Sequence, residues 1–221
     1  MASAAERAAI GHSTNWVRAQ LGVKHALDRV LALALLVVLL PLLLAIAAAV
    51  LLSLGRPILF PQVRIGRSGR PFTMLKFRTM GNGADFVLVN RGTLCFEYAP
   101  GTVDSSERGS AVGRWLRLTS LDELPQLWNV LRGEMSLVGP RPERPEFVAI
   151  FEREIYRYGD RHRLKVGITG LAQVSGFYGR TSIAARAACD NFYIENFSLV
   201  LDLQVLLRTF GAVLRRLRHG E

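Results

Sequence analysis

From Val30 to Leu52 the chain runs through 23 residues without a polar side chain, VLALALLVVLLPLLLAIAAAVLL. As one straight helix at 1.5 Å per residue this run would be roughly 35 Å long, against a hydrocarbon core of about 30 Å. Pro41 stands at its centre with eleven apolar residues on either side. It lacks the N–H of an intrahelical bond and its ring crowds the preceding turn, so a kink is expected there. Arg18, Lys24 and Arg29 precede the run, and Arg56, Arg64, Arg67 and Arg70 follow it. Basic residues favour the cytoplasmic side of a membrane, and here both flanks carry them. Two readings stay open on these grounds: a kinked span, and a helix broken at Pro41 whose arms, each about 16 Å long, enter and leave by one face. A cleaved signal peptide fits less well, because the run is too long and begins too late.

After Leu54 the pattern becomes that of a globular domain, with no second long apolar run. GRSGRP reads as a turn between two short strands, the second alternating through Phe72, Met74 and Lys76. Residues 81–110, interrupted by Gly, Asn and Ser, read as a loop. Helical periods follow at 111–117, 124–132 and 143–158; GITGLAQVSGFYGR reads as a loop or short strand, and 182–196 is helical again. The tail SLVLDLQVLLRTFGAVLRRLRH pairs a leucine-rich stripe with Arg208, Arg215, Arg216 and Arg218. That pattern suits a helix lying in a membrane interface, and equally a terminal helix packed on the core with solvated arginines.

Charge narrows the partners. Lys and Arg number 28 against 18 acids, a formal net charge of +10. The balance points to anions: nucleic acid, a phospholipid surface or phosphorylated substrates. The two cysteines, Cys95 and Cys189, and the four histidines lack metal-ligand spacing, which argues against a disulfide framework or a zinc site.

Against this basic background, TSLDELPQLWNVLRGEMSLVGPRPE (119–143) sets Asp122 beside Glu123 and follows them with Pro125. Ser120 and Glu123 fit an S-x-x-E capping box. With Ser120 as N-cap, however, Pro125 would be the fifth helical residue, where its missing N–H costs a bond. A helix starting at or just before Asp122 keeps Pro125 in the first turn and puts both acids at a helix mouth, beside free N–H groups that also suit a phosphate. Arg117 lies five residues before Asp122, and Arg141 stands between Pro140 and Pro142 on a stiffened loop. A planar guanidinium so presented suits bidentate phosphate binding. Two carboxylates, arginines and a divalent cation make a pyrophosphate site in which one carboxylate can attack phosphorus. Lys76 and Arg78 of KFRTM add basic groups that serve either substrate or surface.

The basic start and Pro-broken apolar segment, KFRTM, RLTSLDELPQLWNVLRGEMSLVGPRPE, GITGLAQVSG and YIENFSLVLDLQVLLRT, in this order from about residue 24 to 217, resemble the bacterial sugar transferase family, the monotopic phosphoglycosyl transferases that prime glycan assembly on polyprenyl phosphate. The resemblance implies that Asp122 attacks the sugar-bonded phosphate of a UDP-sugar, releasing UMP, and that undecaprenyl phosphate then takes the phosphosugar. It implies Glu123 as dyad partner, acting as metal ligand or as base, Arg117 and Arg141 at phosphate-contacting positions, and Mg²⁺ as the metal, with Asp122 and Glu123 as its candidate ligands. It favours the re-entrant hairpin and a bacterial inner (cytoplasmic) membrane location, with the catalytic domain on the cytoplasmic face. Val166 departs from the proline the family usually carries before GITG, and SGFYGR departs from the usual continuation.

The expected fold is therefore α/β, mostly helical with few short strands. It divides into an N-terminal extension (1–23), a re-entrant membrane helix broken at Pro41 (24–54) and a transferase domain (55–221) ending in an amphipathic helix. Expected partners are a UDP-sugar, undecaprenyl phosphate and membrane phospholipid, not nucleic acid; a homodimer is left open. The rival reading is a non-catalytic, membrane-tethered anion binder, which explains the charge but gives no reason for the acidic pair.

Overall fold

The computed structural model describes the backbone of residues 4–80, 110–177 and 181–219, with side chains from residue 19 to residue 213 of that set. The expected loop at 81–110 falls, but for Ser110, outside the described residues. Helix α1 (Ala4–Val38) carries the first half of the apolar run and α2 (Leu40–Leu54) the second. The break falls at Leu39, and Pro41 enters the first turn of α2, where a missing N–H removes no bond of that helix. The segments Ala19–Val38 and Leu40–Leu54 are bent by 65°. Among the described residues no single helix is long and apolar enough to cross a membrane; by length and composition this bent pair fits a broken span or a re-entrant loop. Helix α1 passes through residue 24 without interruption, so secondary structure does not mark that expected boundary.

Strands β1 (Leu59–Ile65) and β2 (Pro71–Phe77) pair antiparallel from Leu59↔Phe77 to Ile65↔Pro71 across the expected turn. Helix α3 (Ala111–Thr119) is capped by Ser110, whose hydroxyl accepts from the Gly113 N–H. A 3₁₀ turn (Leu121–Glu123) leads into α4 (Gln126–Arg132), which Gly133 ends in the left-handed region at φ 81°. Then come β3 (Ser136–Val138), α5 (Pro145–Glu154), a 3₁₀ turn at Tyr158–His162, β4 (Gly167–Thr169), α6 (Leu171–Val174), α7 (Ile183–Glu195) and α8 (Leu199–His219). The helix expected over 143–158 stops early: Ile155 is extended and Arg157 takes φ 56°. GITGLAQV supplies both a strand and a short helix.

Strands β3 and β4 run parallel, with Ser136 opposite Gly167 and Val138 opposite Thr169. A Cβ on Gly167 would lie 2.1 Å from the Gly139 nitrogen, so only glycine lets these segments approach as they do. That crossing launches the Pro140–Arg141–Pro142 loop.

The apolar pair is built into the core. Ala32 of α1 packs with Met74, Leu127, Val130, Met135, Leu137 and Val166, while Ile46 and Val50 of α2 pack with Phe77 and Leu116. Each such large side chain contributes on the order of 1.5–3 kcal/mol relative to exposure to water. Charge adds a second tie. Lys24 pairs with Asp202 at 2.5 Å and Asp28 at 3.6 Å; Tyr193 donates to Asp202, and Ser136 to Asp28. The opposite face of the pair exposes Val30, Leu33, Val37, Val38, Leu40 and Leu44. So large an apolar surface marks contact with lipid or another protein.

Helix α8 packs on the core along one side and leaves an apolar stripe exposed along another. Val205 is buried with Val138, Leu171 and Tyr193, while Val200, Leu203, Leu207 and Phe210 form an exposed apolar stripe at helical spacing. Trp115 and Trp128 are half exposed.

Candidate active site

The site begins with a locked junction between α4 and β2. Asn129 accepts from the Leu75 N–H and donates to the Thr73 carbonyl and to Glu134. This side chain stands in for a neighbouring strand at the open edge of β2. It fixes the register in which Lys76 meets the turn before α4. Lys76 Nζ then reaches Glu123 Oε1 at 2.8 Å. Arg141 reaches the same oxygen at 2.7 Å and the second at 3.4 Å, an asymmetric fork-to-fork contact.

The acidic pair lies in the 3₁₀ turn ahead of α4, with Pro125 immediately before the helix. The expectation of acids in the first turn of a helix, beside free donors, needs correction. The N–H groups of Glu123 and Leu124 are spent on the Ser120 and Leu121 carbonyls. Ser120 sits in the left-handed region at φ 58° and its side chain does not cap the turn, so no capping box forms. Ser120 ends α3, and a tight 3₁₀ turn carries the chain on to α4.

The two carboxylates are driven apart electrostatically. Glu123 lies far below the usual carboxylate range: burial alone would raise it, but the Arg141 and Lys76 charges and their hydrogen bonds lower it further than burial raises it. Asp122, only 8% exposed, joins no ion pair among the described residues. Burial pushes it up to about 6; Lys76 opposes that shift and the Glu123 charge adds to it. One acid is thus a fixed anion and the other a raised, uncommitted carboxylate, a division of roles typical of reacting dyads.

Arg117 donates to the Thr79 carbonyl at 3.1 Å. Burial lowers its guanidinium and nearby Asp122 raises it, which places it beside the dyad. Arg78 is engaged elsewhere. Its guanidinium donates to the Leu54 and Gly55 carbonyls at the end of α2, which ties down that helix end.

Sequence reasoning missed the layer behind Arg141. Arg161, 1% exposed, pairs with Asp190 at 2.6 Å, receives the Tyr158 ring at 5.0 Å and donates to the Arg141 carbonyl at 2.9 Å. Arg64 donates to the Pro142 carbonyl, and Arg186 pairs with Glu143. These residues are scattered from position 64 to 190, and no local pattern connects them.

Between the bent pair and the junction of β2 with α4 runs an apolar groove of about 570 Å³. Leu36, Leu43, Leu44 and Ala47 of the bent pair form one wall; Leu75, Phe77, Pro125 and Trp128 form the other. Pro125, two residues beyond Glu123 in the chain, is part of its lining.

Among the described residues no group of three or more His, Cys, Asp or Glu gathers as a metal site. Mg²⁺ commonly takes only one or two carboxylates and completes its shell with substrate phosphates and water, and the adjacent carboxylates of Asp122 and Glu123 are of that donor type.

Taken with its relatives, a chain of this fold and site is a phosphoglycosyl transferase, an enzyme that moves a sugar together with its phosphate. It belongs to the bacterial sugar transferase family, whose model matches residues 19–216. It is 42% identical over 198 residues to a UDP-glucose:undecaprenyl-phosphate glucose-1-phosphate transferase of Caulobacter vibrioides, covering 86% of this chain and 69% of that protein. It is 37% identical over 194 residues to a UDP-N-acetylgalactosamine-undecaprenyl-phosphate N-acetylgalactosaminephosphotransferase of Aeromonas hydrophila, covering 87% and 44%. With the exopolysaccharide production protein PSS of Rhizobium leguminosarum bv. phaseoli it shares 37% identity over 207 residues, 90% and 97% of the two chains. The chain thus spans under half of some relatives and nearly all of others. Family membership sets aside the non-catalytic binder.

Proposed function

We propose that this enzyme transfers a sugar-1-phosphate from a UDP-sugar to undecaprenyl phosphate in two displacements at Asp122, as a first step of polysaccharide or glycoconjugate assembly. An Asp122 oxygen attacks the phosphorus bonded to the sugar, the bond from that phosphorus to the UMP oxygen breaks, and UMP leaves. An oxygen of undecaprenyl phosphate then attacks the same phosphorus, the bond to Asp122 breaks, and the carboxylate is restored with undecaprenyl-diphosphate-sugar as product. The observation that carries this reading is the uncommitted Asp122 carboxylate beside a Glu123 already neutralised by Lys76 and Arg141. A carboxylate is a weak nucleophile, and positioning in line with phosphorus, with cations drawing charge from the phosphate, is how such a group becomes effective. Arg117 and Arg141 would supply guanidinium groups to phosphate oxygens. When bound through Asp122 and Glu123, Mg²⁺ would neutralise the diphosphate.

The relatives' printed names support a UDP-sugar donor and an undecaprenyl-phosphate acceptor, and they differ in the sugar. The apolar groove, lined by the bent pair and by Pro125 and Trp128, supports a polyprenyl chain lying along that pair with its phosphate toward the acidic pair. Basic flanks on both sides of that pair, with its 65° bend, support a re-entrant hairpin in the bacterial inner membrane, the catalytic domain facing the cytoplasm.

Incubating the enzyme with Mg²⁺ and a panel of UDP-sugars, without lipid acceptor, tests the covalent step. The accepted sugar should release up to one UMP per active site and leave a phosphosugar mass on the peptide holding Asp122, and Asp122→Asn should abolish both. UMP release that requires lipid acceptor, with no adduct trapped, would favour direct transfer instead.

A further inference from the structure

The loop Pro140–Arg141–Pro142–Glu143 brings Arg141 to Glu123, and its two prolines have no N–H with which to anchor it. Its carbonyls are bonded instead. Pro140 accepts from the Gly167 N–H at 2.9 Å, Arg141 from Arg161 at 2.9 Å, Pro142 from Arg64 at 3.0 Å and Glu143 from the Ile65 N–H at 2.9 Å. These four bonds fix the backbone. The Glu143 side chain adds a further connection, taking Arg186 Nη1 on one oxygen at 3.1 Å and lying 3.7 Å from Arg64 on the other.

Arg186 stands on α7 and is only 4% exposed. Its Nε donates to the Phe177 carbonyl at 3.1 Å, Nη1 to Glu143 and Nη2 to the Thr181 hydroxyl at 3.3 Å. Pairing with Glu143 uses one of these bonds. The other two fix the direction of the guanidinium plane, and through it the place of the Glu143 carboxylate. A planar fork holds such a set of acceptors at fixed angles, which a lysine ammonium cannot reproduce. Glu143 is two residues from Arg141, and Phe177 belongs to the SGFYGR stretch that departs from the family's usual continuation. One buried side chain therefore joins that stretch to the loop presenting Arg141.

We propose that Arg186 is a positioning residue for Arg141: through Glu143 it sets where the Arg141 guanidinium meets the donor's phosphate, and it ties that position to Phe177 and Thr181. The proposal rests on the reading of Arg141 as a phosphate contact.

Turnover is followed as UMP release with both UDP-sugar and undecaprenyl phosphate present, in the unaltered chain and in Arg141→Lys, alongside thermal melts. Arg186→Lys keeps a cation for Glu143, whereas Arg186→Ala would strand that acid in the core. With Arg141 present, Arg186→Lys should lower turnover about ten- to a hundredfold, the scale of a small misplacement at a reacting centre. In Arg141→Lys, which has no fork to aim, the same change should cost about twofold or less, while Tm falls equally in both backgrounds. Arg153→Lys, an exposed change on α5, should leave turnover unaltered. An equal loss in both backgrounds would mean that Arg186 only holds the fold together, and overturns the proposal. Full turnover in Arg141→Lys itself overturns the phosphate reading of Arg141 instead, so the two failures are separate. Glu143→Gln and Thr181→Val approach the same link from its two ends. Their losses should also vanish in Arg141→Lys, and they decide the question if Arg186→Lys does not fold.

Discussion

At the scale of single residues, the proposed dyad rests on two neighbouring acids held differently. Lys76 and Arg141 hold Glu123 as an anion, and that anion together with burial lifts Asp122 to about 6. The first half-reaction should therefore rise with pH through about 6 as Asp122 ionises, and a stopped-flow profile of UMP release checks it; a profile flat from pH 5 to about 8 would count against Asp122 as the attacking group. The same shift bears on stability. The folded pKa lies above the ordinary 3.8, so the stability this group contributes is present below that value and is lost as pH rises through about 6. Asp122→Asn should accordingly raise Tm by several degrees near neutral pH while abolishing turnover, a combination that misfolding cannot produce. Arg161 is the opposite case. Removing it strands Asp190 in the core, at about 3–5 kcal/mol, so Arg161→Ala should lower Tm by roughly 10 °C in thermal melts.

At the scale of elements, the bent pair is decided by Pro41 and by what α2 leans on. The break at Leu39 places proline where helices accept it, and Arg78 ties down the far end of α2 through two carbonyls. Interior proline costs a helix about 3 kcal/mol. In hydrocarbon, packing Ile46 and Val50 against protein gains little that lipid would not supply. Pro41→Ala should therefore release part of the population into a straight span. Cysteines introduced at Ser13 and Arg67 should label from the same side in the unaltered protein, and from opposite sides in a fraction of the variant; same-side labelling throughout would show that packing alone holds the bend. The strands, by contrast, follow local rules. GRSGRP turns β1 into β2 as its glycines allow, while β3 and β4 meet only because Gly139 and Gly167 leave room for two backbones.

At the scale of the whole molecule, apolar surface lies on the bent pair and on the outer stripe of α8, with half-exposed Trp115 and Trp128 suited to a headgroup region. Leu207→Asp with Phe210→Asp should weaken partition of the chain onto vesicles without shifting Tm by more than a degree or two, because neither side chain is in the core. A large fall in Tm would mean that α8 packs through that stripe. Much of this protein could be read without coordinates. Period and punctuation located the apolar run, the hairpin strands and the helices near 111–119, 126–132 and 183–195, because 3.6- and 2-residue repeats and Gly or Pro signals are local properties. The site was legible where its residues are close in sequence or fixed by proline: Asp122, Glu123, Arg117 and Arg141. What stayed hidden depends on contacts between distant residues. Lys76 meets Glu123 across 47 positions, Arg161 meets Asp190 across 29, and Arg78 turned to a helix end rather than to the dyad. The acids sit in a 3₁₀ turn that connects α3 to α4 and lies against β2, a placement no local sequence signal encodes. Sequence determined which groups could do the chemistry; burial, which exists only once the chain is folded, decided which acid keeps its charge and which stays uncommitted.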